Sequence, residues 1–228
     1  MRVAGVNGRV MLRAVVALAM ATAVVPAGAW AQRSAVRVQR ERPIVQRVEF
    51  DPSAPPRGMP KLTPPEAGVC NTTFELETGV SYAADPLTAS TVLITVDELD
   101  LTTRVTFDIY SVAGAPQKLR DHEEAHRKIG EYYYRNAAAA AERIARALIG
   151  ERFEGTGGTQ DAAQKNALEK VLASIEQDYM ARTRDRSAAA NVRFDAITNH
   201  GLEAIDANTA LARALATDPE PDPNRRRR

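Results

Sequence analysis

The 228-residue chain holds three histidines, at positions 122, 126 and 200, and the first two bracket Glu123, Glu124 and Ala125. An α-helix turns about 100° per residue, so residues four apart lie about 40° from each other and one turn up the axis. On a helix, His122 and His126 can therefore each offer a nitrogen to one zinc ion, and Glu123, one step round, can reach a water in the open coordination position. The chemistry implied is hydrolysis, with a zinc-bound water whose pKa falls to about 7 and whose proton Glu123 takes. The plainer reading is two histidines at a helix interface with Glu123 and Glu124 turned toward solvent, which Asp121 and Arg127 would also suit. Against it, the pair opens an apolar stripe, where buried imidazoles need partners.

A catalytic zinc takes three protein ligands. A further histidine six residues after the second would fall on Tyr132, with a glycine where Ile129 stands, so that arrangement is excluded. Glu169 or Glu176 could serve from a following helix, but neither has a distinctive context. His200 is the better candidate. It follows Phe194-Asp195-Ala196-Ile197-Thr198-Asn199, where the second long helix should end, and antiparallel packing would return that end beside His122. Gly201 permits the sharp turn there. Asp195 could hold a ligand histidine by its other nitrogen, cap the loop, or be an ordinary surface aspartate, and Thr198 fits a turn cap. Tyr132, Tyr133 and Tyr134 supply no assignable oxyanion group, since Tyr133 falls on the core stripe. Cys70 could ligate zinc as a thiolate until the segment before it is trimmed, or be a buried thiol.

His122, Glu123 and His126, followed by Asp195, Thr198, His200 and Gly201, resemble a bacterial family of predicted secreted zinc-dependent proteases, catalogued as a domain of unknown function. Its members carry His-Glu-x-x-His on a helix and a later Tyr-Asp-x-x-Thr-x-His-Gly segment. The resemblance spans roughly residues 103 to 201 and departs at Phe194, where the family has tyrosine. It implies a zincin-like fold, with His200 as third ligand and Glu123 as base.

The elements that must position these residues follow from periodicity. Val105, Phe107 and Ile109 alternate with Thr106, Asp108 and Tyr110, the period of a half-buried strand. The stretches 72–82 and 90–99 are two more strand candidates, with Asp100-Leu101-Thr102 as the tight connection between the second and third. His122, His126, Ile129, Tyr133, Ala137, Ala140, Ile144 and Leu148 form one helical stripe ending near Gly150. Leu168, Val171, Leu172, Ile175 and Tyr179 mark a second helix from about 160 to 197. The expected fold is α+β: a small antiparallel sheet packed against two long helices, zincin-like by resemblance, with disordered termini. An extended substrate would lie along an edge strand within 91–112.

The organisation reads as a signal peptide over 1–31, cut after Ala31, an Arg/Pro-rich extended lead-in over 32–67, the metalloprotease domain over 68–216, and a disordered tail over 217–228. No segment is apolar for the roughly 20 residues that span a bilayer, so a secreted or periplasmic protein is expected. One cysteine excludes an intrachain disulfide. With 30 Lys plus Arg against 29 Asp plus Glu, the chain lacks the basic excess of nucleic-acid binders. The reading is a zinc metallopeptidase acting on a peptide or protein substrate. The alternative is a non-catalytic envelope binding or scaffold protein with a structural metal or none. Composition does not fix the oligomeric state.

Overall fold

The computed structural model describes residues 35–62 and 66–216, so the expected signal peptide at 1–31 and the tail from 217 lie outside the described residues. Ten elements follow in order: β1 (Val36–Arg40), β2 (Ile44–Phe50), β3 (Gly68–Thr88), β4 (Thr91–Val112), α1 (Gln117–Tyr134), α2 (Ala137–Leu148), β5 (Arg152–Thr156), α3 (Gln160–Arg182), α4 (Arg184–Thr198) and α5 (Ala207–Ala216).

The fold is α+β, but the sheet is mixed rather than antiparallel. β4 is its axis. β3 pairs with it antiparallel from Gly68↔Ser111 to Thr88↔Thr91. On its other edge β5 pairs antiparallel with Thr91 to Thr95, β1 parallel with Leu99 to Thr103, and β2 parallel with Thr106 to Val112. Both edges of β4 are thus occupied, so the expected substrate groove along an edge strand within 91–112 is not available there.

The expected connection at Asp100-Leu101-Thr102 is also corrected, because β4 runs through it and the hairpin turns at Ala89 and Ser90. The cause is a bulge. Ser81 pairs with Glu98 and Tyr82 with Val96, leaving Asp97 as an extra residue. One inserted residue reverses which parity faces the core. Val92, Ile94 and Val96 are buried before it, and Leu99, Leu101, Val105 and Phe107 after it. The two phases read in sequence as two strands.

The segment expected to be an extended lead-in contributes β1 and β2 to the sheet. Its prolines at 52, 55, 56 and 60 fall after β2, where no ladder bond is lost. Its arginines meet specific carboxylates: Arg37 pairs with Asp100 across the β1–β4 ladder, and Arg47 with Glu124 of α1 at 2.6 Å.

Each expected long helix is divided. The first breaks between Tyr134 and Ala137, though its stripe continues inward through Ile129, Tyr133, Ala137 and Ile144. The second breaks at Thr183, whose hydroxyl donates to the Tyr179 carbonyl at 2.8 Å. α5 was not anticipated. Asp206 starts it by accepting from the amides of Asn208 and Thr209 at 3.0 and 2.9 Å.

The helices cover one face of the sheet, and α1 lies especially close. A Cβ at Gly130 would fall 2.4 Å from Cε1 of the buried Phe107, so only glycine lets the helix settle on β4 at that point. Tyr134 fixes the far end of α1, donating to the carbonyls of Thr103 at 2.8 Å and Glu41 at 2.9 Å.

Candidate metal centre

His122 and His126 stand on the α1 face that meets α4, whose residues Asn191, Phe194 and Asp195 face them. The His126 and His122 Nε2 atoms lie 3.1 Å apart. Asp195 Oδ1 lies 3.0 Å from the first and 3.3 Å from the second. Ligands at about 2.0–2.1 Å in tetrahedral geometry are separated by roughly 3.3–3.4 Å, so these three atoms lie close to three corners of such a site. Among the described residues, His122, His126 and Asp195 form the group whose ligand atoms all lie within 4.8 Å of one another.

The surroundings fix these side chains. Asn191 Oδ1 accepts from Nδ1 of His126 at 2.9 Å, which holds that proton away from Nε2 and leaves Nε2 aimed at the cluster. Phe194, fully buried, packs against both rings, at 4.9 Å from His122 and 5.0 Å from His126. Thr198 is buried, and its hydroxyl donates back to the Phe194 carbonyl at 2.9 Å, tying down the end of α4.

Asp195 was expected near a ligand histidine's other nitrogen, at the loop, or at the surface; instead it meets the two Nε2 atoms. It takes the place expected for His200 because it lies one turn beyond Asn191 on the same α4 face. His200 lies past the helix end, exposed, in a run of three left-handed residues: Asn199 at φ 46°, His200 at 53° and Gly201 at 81°. It is still close, since a charge on its ring would depress His122, and a Cβ at Gly201 would lie 3.4 Å from His122 Nδ1.

Glu123 points elsewhere from the two imidazoles, into the crevice between α1 and the start of β3. It is 3% exposed, and its carboxylate accepts the Cys70 amide proton. A Cβ at Gly68 would lie 3.0 Å from its Oε1, so the close approach requires glycine. Burial raises its pKa to about 7, with Asp195 adding to the shift and His126 opposing it.

In the structure as it stands, the hydrogen bonds and charges around His126 favour its protonated form. Burial opposes charging His126, but the hydrogen bond and charge of Asp195, the charge of Glu123 and the bond to Asn191 outweigh it, and its pKa rises to about 9. Burial dominates at His122 and lowers its pKa. Burial also works against the Asp195 carboxylate, yet the bonds from both imidazoles hold it below its usual range. Two nitrogens and a carboxylate oxygen converge in a group that could hold a metal ion.

The remaining candidates fall outside this group. Burial, followed by the charge of Glu123, pushes the Cys70 thiol up, and its sulfur is not among the converging atoms. Tyr133 and Tyr134 are buried; the first stacks under Arg186, and the second has the carbonyl partners already described. A cavity of about 560 Å³ touches His122, Asp121, Thr198 and Gly201 but none of Glu123, His126 and Asp195. It lies behind His122 rather than over the cluster.

No family model, curated protein or solved structure matches the chain. The resemblance to secreted zinc-dependent proteases therefore rests on the residues quoted for it.

Proposed function

We propose that this protein is an exported, zinc-dependent metallopeptidase. The observation that carries the reading is the convergence of His122 Nε2, His126 Nε2 and Asp195 Oδ1 within 3.0–3.3 Å, with a buried carboxylate, Glu123, on the residue between the histidines in α1. Three protein donors leave a coordination position open, as catalytic rather than structural zinc sites do. When bound, zinc would polarise a peptide carbonyl and bring the pKa of a water to about 7.

The chain's own residues supply the rest. His122, His126 and Asp195 hold the ion, and Asn191 keeps the His126 proton on Nδ1. Phe194 excludes water from one side of both rings. Glu123, with a pKa near 7, is suited to accept a proton from the attacking water and return one to the departing amine. The Cys70 amide orients that carboxylate. A zincin-like placement, with the metal helix lying against a sheet, belongs to the same reading, as does export by the segment over 1–31.

Two histidines and one carboxylate also suit ferrous iron. Glu123 favours zinc hydrolysis, because a buried carboxylate one residue from a ligand histidine, turned toward Gly68 here, would have a use in activating water once rotated toward the ion. The test is Glu123→Gln. The variant should bind zinc as the wild type does and lose at least roughly 10³-fold in hydrolysis of unfolded protein substrates. Undiminished hydrolysis by that variant would rule the mechanism out.

A further inference from the structure

One edge of β3 pairs with β4, and among the described residues no strand pairs with the other. The Val112 amide donates to the Ala67 carbonyl at 3.0 Å, which fixes the alternation along this antiparallel ladder. Odd-numbered residues of β3 exchange bonds with β4 as far as the bulge, so the amides and carbonyls of Thr72, Phe74, Leu76, Thr78 and Val80 point away from it. Cys70 belongs to the same set, and its outward amide is the one that Glu123 accepts. α1 thus closes the edge at Cys70. From Thr72 to Val80 no backbone hydrogen bond from another described element reaches it. An open run of this kind is a template for an added strand.

The two faces beside that edge differ. On the helix side, Leu76 and Val80 are partly buried and packed against the core. Glu75 and Glu77 lie on the opposite face, because side chains alternate along a strand. There Arg104 reaches Glu77 at 3.1 Å and Glu41 at 2.8 Å and also feels the charge of Glu75, so one guanidinium faces three carboxylates. A second copy of the chain does not suit this edge. Antiparallel pairing centred on Leu76 would set Glu75 against the copy's Glu77, and like charges directly opposite destabilise a sheet.

We propose that the outer edge of β3 from Thr72 to Val80 binds, as an added antiparallel strand, an extended peptide segment in which apolar and basic residues alternate. Its apolar side chains extend the layer of Leu76 and Val80, and its basic ones meet Glu75 and Glu77 across the new pair. Nothing in this surface depends on the metal centre.

The probes are dye-labelled peptides of alternating lysine and valine, or glutamate and valine, titrated with the full chain by fluorescence anisotropy, with chelator present so that no peptide is cleaved. The lysine peptide should bind at least roughly 10-fold more tightly than the glutamate one, and the double variant Glu75→Lys/Glu77→Lys should reverse that order. Methylating the valine amides, which are the donors facing β3 in an antiparallel pair, should abolish binding, whereas methylating the lysine amides should leave it within a few-fold. Equal binding of the lysine and glutamate peptides to wild type would overturn the proposal, as would full binding of the valine-methylated peptide. So would a dimer in sedimentation that dissociates in Leu76→Pro, since a second copy would then cover the edge. If the double variant melts well below wild type, the methylated pair on wild type still decides.

Discussion

At Asp195 the balance between proton and metal can be measured directly. Removing this carboxylate takes away one of three donors and the partner that charges His126, so Asp195→Ala should weaken zinc binding by more than about 100-fold in a competition titration. Asn191→Ala, which frees only the far nitrogen of His126, should cost about 10–100-fold. Equal affinities for wild type and Asp195→Ala would remove the carboxylate from the site. The titrations also set a pH dependence. In the metal-free chain His126 is raised from 6.5 to about 9 and Glu123 from 4.5 to about 7. Below about pH 6.5 the lowered His122 opposes Glu123, but across about pH 6.5 to 9 the folded state binds more protons than the unfolded state, so metal-free stability should fall as pH rises through that window. Zinc must displace the His126 proton, so its affinity should rise over the same range. Thermal melts with chelator and with excess zinc, at about pH 6.5, 7.5 and 9, check both signs. A metal-free melting temperature that climbs with pH would contradict the assignment. The His122, Glu123 and His126 trio was legible in the sequence because a helix fixes the angles between residues one and four apart. The choice between Asp195 and His200 was not, because it depends on where α4 ends and on which face turns to α1. A carboxylate is also a far less conspicuous ligand than one of only three histidines.

Among the elements, α1 depends on its seat against the sheet. Gly130→Ala adds a Cβ that would fall 2.4 Å from a ring atom of buried Phe107. Overpacking of this kind costs about 1–3 kcal/mol, against the gain of up to about 1 kcal/mol that alanine brings to a helix interior. A lower melting temperature and weaker zinc binding are expected together, since the helix carries two of the proposed ligands. A variant more stable than wild type would show that α1 is not pressed against Phe107. Strand periodicity was readable on either side of Asp97, but the bulge reversed its phase and made one strand of 22 residues look like two. The strands at Val36–Arg40 and Ile44–Phe50 are hard to see in sequence for a related reason. Val36 and Val38 alternate with arginine and glutamine as strand residues do, yet the density of arginines and the prolines beyond Phe50 are those of an extended leader. The partners that settle it, Asp100 and Glu124, are distant in sequence.

For the whole molecule, the placement of β1 and β2 means that the folded unit includes Val36–Phe50 and does not start at Gly68. Removal of residues 35–50 would strip β4 of its neighbours from Leu99 to Thr103 and from Thr106 to Val112. A chain beginning at residue 51 should fail to fold or to retain zinc, whereas one beginning at 35 should match the full-length chain in melting temperature. A stable, zinc-binding chain from residue 51 would show the two strands to be dispensable. No helix among the described residues is long and apolar enough to cross a membrane. The most direct test of the central claim is anomalous diffraction at the zinc edge from crystals grown with equimolar zinc. The expected result is one peak about 2.0–2.1 Å from Nε2 of His122, Nε2 of His126 and a carboxylate oxygen of Asp195. A map with no peak between α1 and α4, or with a peak bound by His200 in place of Asp195, would contradict it.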